Sequence, residues 1–459
     1  MQYRSKVAGV FLAGFFLDLV NMFIAGVAYP AIGQALQAPV SGLAWVSNGY
    51  ICGLTLAIPL SAWLTQRFGA RRVFVLSLLL FMAATLASGC AGTLGELVAW
   101  RILQGAGGGL LIPVGQALTW QLYPPHQRAR LASVVMLVAL LAPALSPTLG
   151  GLLVQALNWR WVFFASLPLA AVTLLLALCW LRQEPPAPEH APLDLPGLLG
   201  GCSGLLLVLL AMTRLSEADG AGGGLALLLA GLGLLAGFVR RCRRHPTPLF
   251  SVALLSEPLL RFSMGVYQCV PGLFMGVSLL AMLWLQTVVG LSAAQCGMLM
   301  IPWSLASGLA IATTGRTFNR LGPRPPIVAG CLLQAAGIVL LAQVTAAHPF
   351  PQLIAAFTLM GLGGSLCSST AQSSAFLQIP AAELPQASAL WNINRQLSFC
   401  FGVALLSLLQ NLLIGHLAAR PAWAFTFYTA AAGSLIPALL SGRINNRAVK
   451  QQLLNEENA

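Results

Sequence analysis

Apolar stretches of about 20 residues, the length that crosses a hydrocarbon core as a helix, can be drawn fourteen times along this chain. They begin near Val7, Leu43, Val73, Leu94, Leu131, Trp161, Leu195, Gly223, Phe262, Gln295, Ile327, Gln352, Ala389 and Trp423. Short segments holding most of the charge separate them. The pattern predicts an all-α polytopic membrane protein with fourteen transmembrane helices. Only MQYRSK precedes the first run. That run is too long for a signal-peptide core and lacks a small-residue cleavage site, so it reads as a retained span.

The cationic residues orient the spans. With both termini on one side, that side holds nineteen of the 24 Lys and Arg residues, from Arg4 and Lys6 to Arg447 and Lys450. Arg160, Arg214 and Arg420 fall on the other side, and Arg101 and Arg395 fall within spans. The positive-inside rule then places both termini in the cytoplasm and the protein in the cell inner (cytoplasmic) membrane. The net charge of +13 is thereby accounted for by topology. No basic stretch alternates with aromatics, which argues against a nucleic-acid partner.

Composition agrees. Hydrophobic residues make up 58% of the 459 and charged residues 8%, against about 25% charged in a soluble domain. The ten cysteines lie almost all inside apolar runs and form no C-x-x-C pair, so they read as small buried apolar residues and no metal or other cofactor is expected. The histidines (His126, His190, His245, His348, His416) fall in loops or at span ends. An intramembrane hydrolase would need a nucleophile with a His or a second Asp at depth, and a sensor would need a soluble output domain. Neither is present, so no enzyme is expected. No G-x-x-x-x-G-K-[ST] run marks an ATP site.

Six runs reach residue 181. A Pro-rich charged linker (182–194) follows, then two plain Leu/Gly/Ala runs (195–240), whose outer connection holds Arg214, Glu217 and Asp219. A basic linker (241–261), six further runs (262–442) and a tail (443–459) complete the chain. QRFGARRVFV (66–75) is echoed by NRLGPRPPIV (319–328), each after the second run of a six-run set. The echo predicts two six-helix halves with an inserted pair, and a substrate site between the halves near the midplane.

One acid stands out in FLAGFFLDLVNMFIAGVAYP. Asp18 is the only charged residue between Lys6 and Arg67. It lies roughly 16 Å along a span that begins near Val7, close to the midplane. An acid there costs about 2.5–3.5 kcal/mol on insertion scales, so it faces protein or a water cavity. Proton coupling or cation binding is one reading; a fixed pair with an interior arginine, or a helix–helix hydrogen bond, is the other. Arg101, with Gln104 on the same face, reads as a partner of the acid or an anchor near the outer end of its span. Arg395, flanked by Asn392, Asn394 and Gln396, reads as a substrate contact or part of a polar network.

Five stretches, in order, resemble the Major Facilitator Superfamily in its fourteen-span branch of drug:proton antiporters: SAWLTQRFGARR (61–72), RILQGAGGGLLIPVG (101–115), APALSPTLGG (142–151), NWRWVFFASLP (158–168) and NRQLSFCFGVAL (394–405). The resemblance implies alternating access driven by a proton gradient. Asp18 and Arg101 become the proton-coupling candidates. Asn21, Asn48, Gln104, Gln268, Trp303, Asn392 and Arg395 become the candidates for the substrate cavity. Gln66, Arg67, Gly69 and Arg71 of the signature loop, and Pro143, Pro147, Gly150 and Gly151 of the fifth span, become the conformational candidates. The chain departs from the family in three places. Gln66 stands where the signature has an acid, and Ser146 where the fifth-span motif has glycine. Asn21 stands nine residues before Pro30, where the branch has its acid. Asp18 lies one turn earlier on the same face.

The reading is a proton-driven exporter of small amphipathic molecules or drugs. Its alternative is a dedicated exporter of an anionic or zwitterionic metabolite such as a siderophore or amino-acid derivative. The partners implied are a small-molecule substrate, protons and membrane lipids; a periplasmic adaptor is left open.

Overall fold

The computed structural model describes residues 2–38, 40–182, 193–215, 221–245, 251–344, 350–414, 416 and 418–458. Among them all regular structure is helical, and thirteen helices are long and apolar enough to cross a membrane. They are the first span (Tyr3–Ala35), the third to eighth (Ala70–Cys90, Leu94–Leu122, Pro125–Ala156, Trp161–Trp180, Leu195–Leu215, Gly222–Arg244) and the ninth to fourteenth (Pro258–Thr287, Gln295–Leu321, Arg324–Ala342, Phe350–Ser374, Ala381–Ile414, Arg420–Arg443). The second span, 40–68, runs as Val40–Ala57, a 3₁₀ turn Ile58–Leu60, and Ser61–Phe68. It packs along the fourth span. The linker residues 183–192 and the connection bearing Glu217 and Asp219 lie outside the described residues.

Proline sets the irregularities. It lacks an N–H and leaves a carbonyl of the preceding turn unpaired. Pro59 falls in the 3₁₀ turn of the second span. Pro271 lies in a π-helical turn, Gln268–Gly272, of the ninth, the kind of bulge that gathers at functional sites. The fifth span, by contrast, stays α-helical from Pro125 to Ala156, through Pro143 and Pro147. Its Gly150 lies so close to the first span that a Cβ there would stand 2.9 Å from Ile24 Cγ1.

The echoed loops share a backbone. Gly69 and Gly322 have φ of +81° and +73°, a region that favours glycine. Each turns the chain between two spans. Arg71 donates to the Leu178 carbonyl (2.6 Å), tying its loop to the end of the sixth span. Arg67 lies over the Trp63 ring. Gln66 is exposed and makes no hydrogen bond. Its counterpart Asn319 reaches across to the His126 carbonyl (2.8 Å).

The early spans share one apolar core (Leu17, Leu54, Phe74, Phe81, Leu111) and the late spans another (Val277, Leu285, Ile338, Phe357, Phe427). A third joins them through Phe11, Phe15 and Trp120 on one side and Tyr267, Phe376 and Trp391 on the other. Two of the joining bonds lie at the end near the termini. Arg128 donates to the Phe376 carbonyl (2.7 Å) and Gln121 to the Ala381 carbonyl (3.1 Å). A helix after the last span (Asn446–Asn458) adds Val449 and Leu453 to a cluster with Ala129, Leu259 and Phe318. The early and late spans are thus sealed together on the side of the termini.

The seventh and eighth spans pack on each other, and the seventh reaches the second and thirteenth. Asp194 locks the pair at one end. It accepts from Arg241 (2.7 Å) and from the Gly197 N–H (3.0 Å). Burial pushes its carboxyl up, but these two donors outweigh burial and hold it below the ordinary aspartate value. The eighth span leaves Leu225, Leu229, Leu232 and Leu234 exposed, as a lipid-facing helix would.

Candidate functional site

A cavity of about 150 Å³ lies between the early and late spans, with Phe11, Phe15, Gln116 and Pro143 on one wall and Tyr267, Trp303, Asn392 and Arg395 on the other. The walls are mostly apolar. Phe274 and Trp303 stack with centroids 5.4 Å apart and rings 1° from parallel. Met22, Met275 and Met360 add flexible surface.

Asp18 lies beside this cavity and outside its walls. It is 1% exposed. The Tyr50 hydroxyl donates to Oδ1, while Oδ2 is buried with no hydrogen-bond partner. Small residues make this arrangement possible. A Cβ on Gly105 would overlap the Tyr50 carbonyl, and one on Gly108 would overlap Asp18 Oδ1. The glycine run of the fourth span therefore lets the second span, and with it Tyr50, come close to the acid.

Arg101 is fully buried, and each of its three guanidinium nitrogens donates a hydrogen bond. Nε donates to the Val46 carbonyl (2.9 Å), Nη1 to Gln104 Oε1 (2.6 Å) and Nη2 to the Asn21 carbonyl (3.1 Å). Gln104 in turn donates to Asn21 Oδ1 (3.0 Å) and Thr85 Oγ1 (2.7 Å). Arg101 makes no ion pair with Asp18. It stacks over the Tyr50 ring at 4.3 Å, so its link to the acid passes through that tyrosine.

Arg395 contrasts with it. Its guanidinium lies 5.2 Å over the Phe15 ring and lines the cavity. Among the described residues it has no hydrogen bond or ion pair. Asn392 donates to Gln116 Oε1 (2.8 Å), bridging the early and late spans.

The sequence-predicted cavity residues thus divide. Trp303, Asn392 and Arg395 line the cavity. Asn21 and Gln104 belong to the Arg101 network. Gln268 lies in the π-helical turn and donates to Asn394 Oδ1 (3.0 Å). Asn48 lines no part of the cavity. Pro143 does line it, whereas Gly150 packs on the first span and Gly151 comes no nearer than ordinary contact with Val27. Tyr50 as the partner of Asp18, and Phe15 and Gln116 as cavity walls, are not among the residues that the sequence singles out. The glycine run at 105–109 was the available signal for Tyr50, since small residues mark where two backbones meet.

A family profile described as Major Facilitator Superfamily matches residues 11–256 and 264–456. The chain is 30% identical to the drug efflux pump JefA of Mycobacterium tuberculosis, over 86% of this chain and 78% of that one. It is 27% identical to the putative multidrug resistance protein MdtD of Citrobacter koseri, over 96% and 95%. Among solved structures, the human organic anion transporter MFSD10 superposes with a TM-score of 0.70 at 18% identity, over 96% of this chain and all of that one. That last likeness speaks to fold alone.

Proposed function

The chain belongs to the Major Facilitator Superfamily, and on that premise we propose that it is a proton-driven exporter of small amphipathic molecules. It works by alternating access across the cytoplasmic membrane, with both termini in the cytoplasm. The named efflux relatives support export. The observation that carries the coupling is Asp18: a lone acid at depth, with one oxygen held by Tyr50 and the other free, beside a cavity sealed at one end.

In this reading the first six and last six spans are the rocking halves and the inserted pair is peripheral. The seal lies on the side of the termini, so the conformation described here opens outward. Asp18 Oδ2 is the oxygen that carries the proton through the cycle, and it is occluded in this conformation. The Arg101 network holds the second and fourth spans in register, so that Tyr50 stays on Oδ1. In the inward-open state the seal through Arg128, Gln121 and Asn319 is broken and Asp18 releases its proton to the cytoplasm. Pro143, which lines the cavity, is where the fifth span bends as the halves shift. Gln66 cannot supply the charge that an acid would give the signature loop, so the Asn319 bond to the His126 carbonyl carries more of the closed-state contact.

The test is efflux from cells lacking their main drug pumps, loaded with a lipophilic dye or with an aromatic carboxylate. Wild type expels one of them, and a protonophore or Asp18→Asn stops it. Export that persists in Asp18→Asn with full sensitivity to the protonophore sinks the coupling assignment.

A further inference from the structure

We propose that the substrate is an amphipathic monoanion, with a carboxylate or sulfonate seated on Arg395 and an aromatic body against Phe274 and Trp303. The inference rests on the exporter reading of the same cavity and deepens it.

The charge inventory points this way. Arg395 presents a planar fork of donors to the cavity and none is engaged. Arg395 is partly open to the cavity, so an entering group can reach its donors, and the group that best matches them is a planar anion bound through two parallel hydrogen bonds. The chain has eleven Asp and Glu residues, and none lines the cavity. Asp18, on the first span, is buried away from the cavity with Tyr50 on Oδ1. Glu257 caps the ninth span at the Leu260 N–H, and Glu383 lies in the turn that begins the thirteenth. The phenol of Tyr267 is the other titratable wall group, and it carries no positive charge to compete. A lipophilic cation here would meet an unpaired positive charge and no carboxylate.

Among the neutral polar groups of the wall, Gln372 accepts from the Trp391 ring N–H (2.8 Å), and its own amide nitrogen is buried. That leaves Arg395 as the charged donor of the cavity. Its aromatic and methionine surface fits a flat apolar body of variable outline. Arg395 also rests on Phe15, one turn before Asp18 on the same helix, so a bound anion would sit close to the proton site without touching it.

The stoichiometry makes the class visible. Exchanging one monoanion outward for one proton inward moves two positive charges inward, so an inside-negative potential drives it. Exchanging a monovalent cation for a proton is electrically silent.

The test uses a matched pair, 1-naphthylacetate and 1-naphthylmethylammonium, and the full-length protein in lipid nanodiscs, with binding read by quenching of tryptophan fluorescence. Wild type is expected to favour naphthylacetate by about tenfold or more, the scale of a charged hydrogen bond. Arg395→Gln is expected to lose that preference and Arg395→Lys to keep part of it. In proteoliposomes, a valinomycin-imposed potential is expected to speed naphthylacetate export. Equal binding of the two probes by wild type, or preference for the ammonium, overturns the proposal even if Arg395→Gln fails to fold. Proton-coupled export of the ammonium alone would overturn it while leaving the exporter reading intact. Arg395-dependent binding of naphthylacetate with no proton-coupled movement would do the reverse.

Discussion

The two interior arginines lie in opposite surroundings. Arg101 has every donor group engaged, by Val46, Gln104 and Asn21, and it stacks on the ring that holds Asp18. Arg395 has an aromatic face beneath it and, among the described residues, nothing at its donors. A buried charge surrounded by fixed partners is a structural element, since removing any partner leaves an unpaired group in a dry place. A charge left open in a cavity is available to something that enters. The difference separates the groups that shape the proton site from those that meet cargo.

Asp18→Asn is the largest expected break in that comparison. Gradient-driven efflux should fall to background while the protein still folds, since an amide fits the same space. Gly105→Leu comes next. It drives a side chain into the Tyr50 backbone and should cost about 1–3 kcal/mol or more, read as a lower unfolding temperature in detergent. Tyr50→Phe is subtler. It leaves both Asp18 oxygens without a donor, a loss of about 1–3 kcal/mol, and should slow coupled transport less than Asp18→Asn does. If Tyr50→Phe leaves both stability and transport untouched, the short contact does not organise the acid.

The smallest effect concerns the inserted pair. Asp194→Ala removes a helix cap and the Arg241 pairing, and should cost about 1 kcal/mol without changing transport selectivity. The carboxyl is held below its unfolded value, so its contribution is present at neutral pH and is lost as pH falls through the folded value. An Asp194→Ala protein should therefore differ from wild type in thermal stability at pH 7 and converge with it in acid.

Much of this was legible in the chain. Fourteen apolar runs start inside the observed spans because a hydrocarbon solvent leaves few alternatives to long helices. Gly69 and Gly322 betrayed the repeat because a positive φ admits few other residues. Asp18 and Arg395 were visible as charges where charges are costly. Their partners were not. Nothing in Tyr50 distinguishes it from an aromatic packed in a span, because its role depends on how closely the second and fourth helices approach. Nor did the spacing of Asp18 and Asn21, one turn apart, show that they divide between Tyr50 and the Gln104 network. That division is set by which neighbour each meets.

The most direct test of the separation of proton site from cargo site is a pair of flux measurements on Asp18→Asn in proteoliposomes, using one transported probe. The first follows exchange of labelled for unlabelled probe, which needs no proton turnover; the second follows proton movement with a pH-sensitive dye. The account predicts that exchange survives near the wild-type rate while proton movement and net uphill export vanish. Loss of exchange together with proton movement would place Asp18 in the substrate's own site and contradict the division drawn between the two arginines.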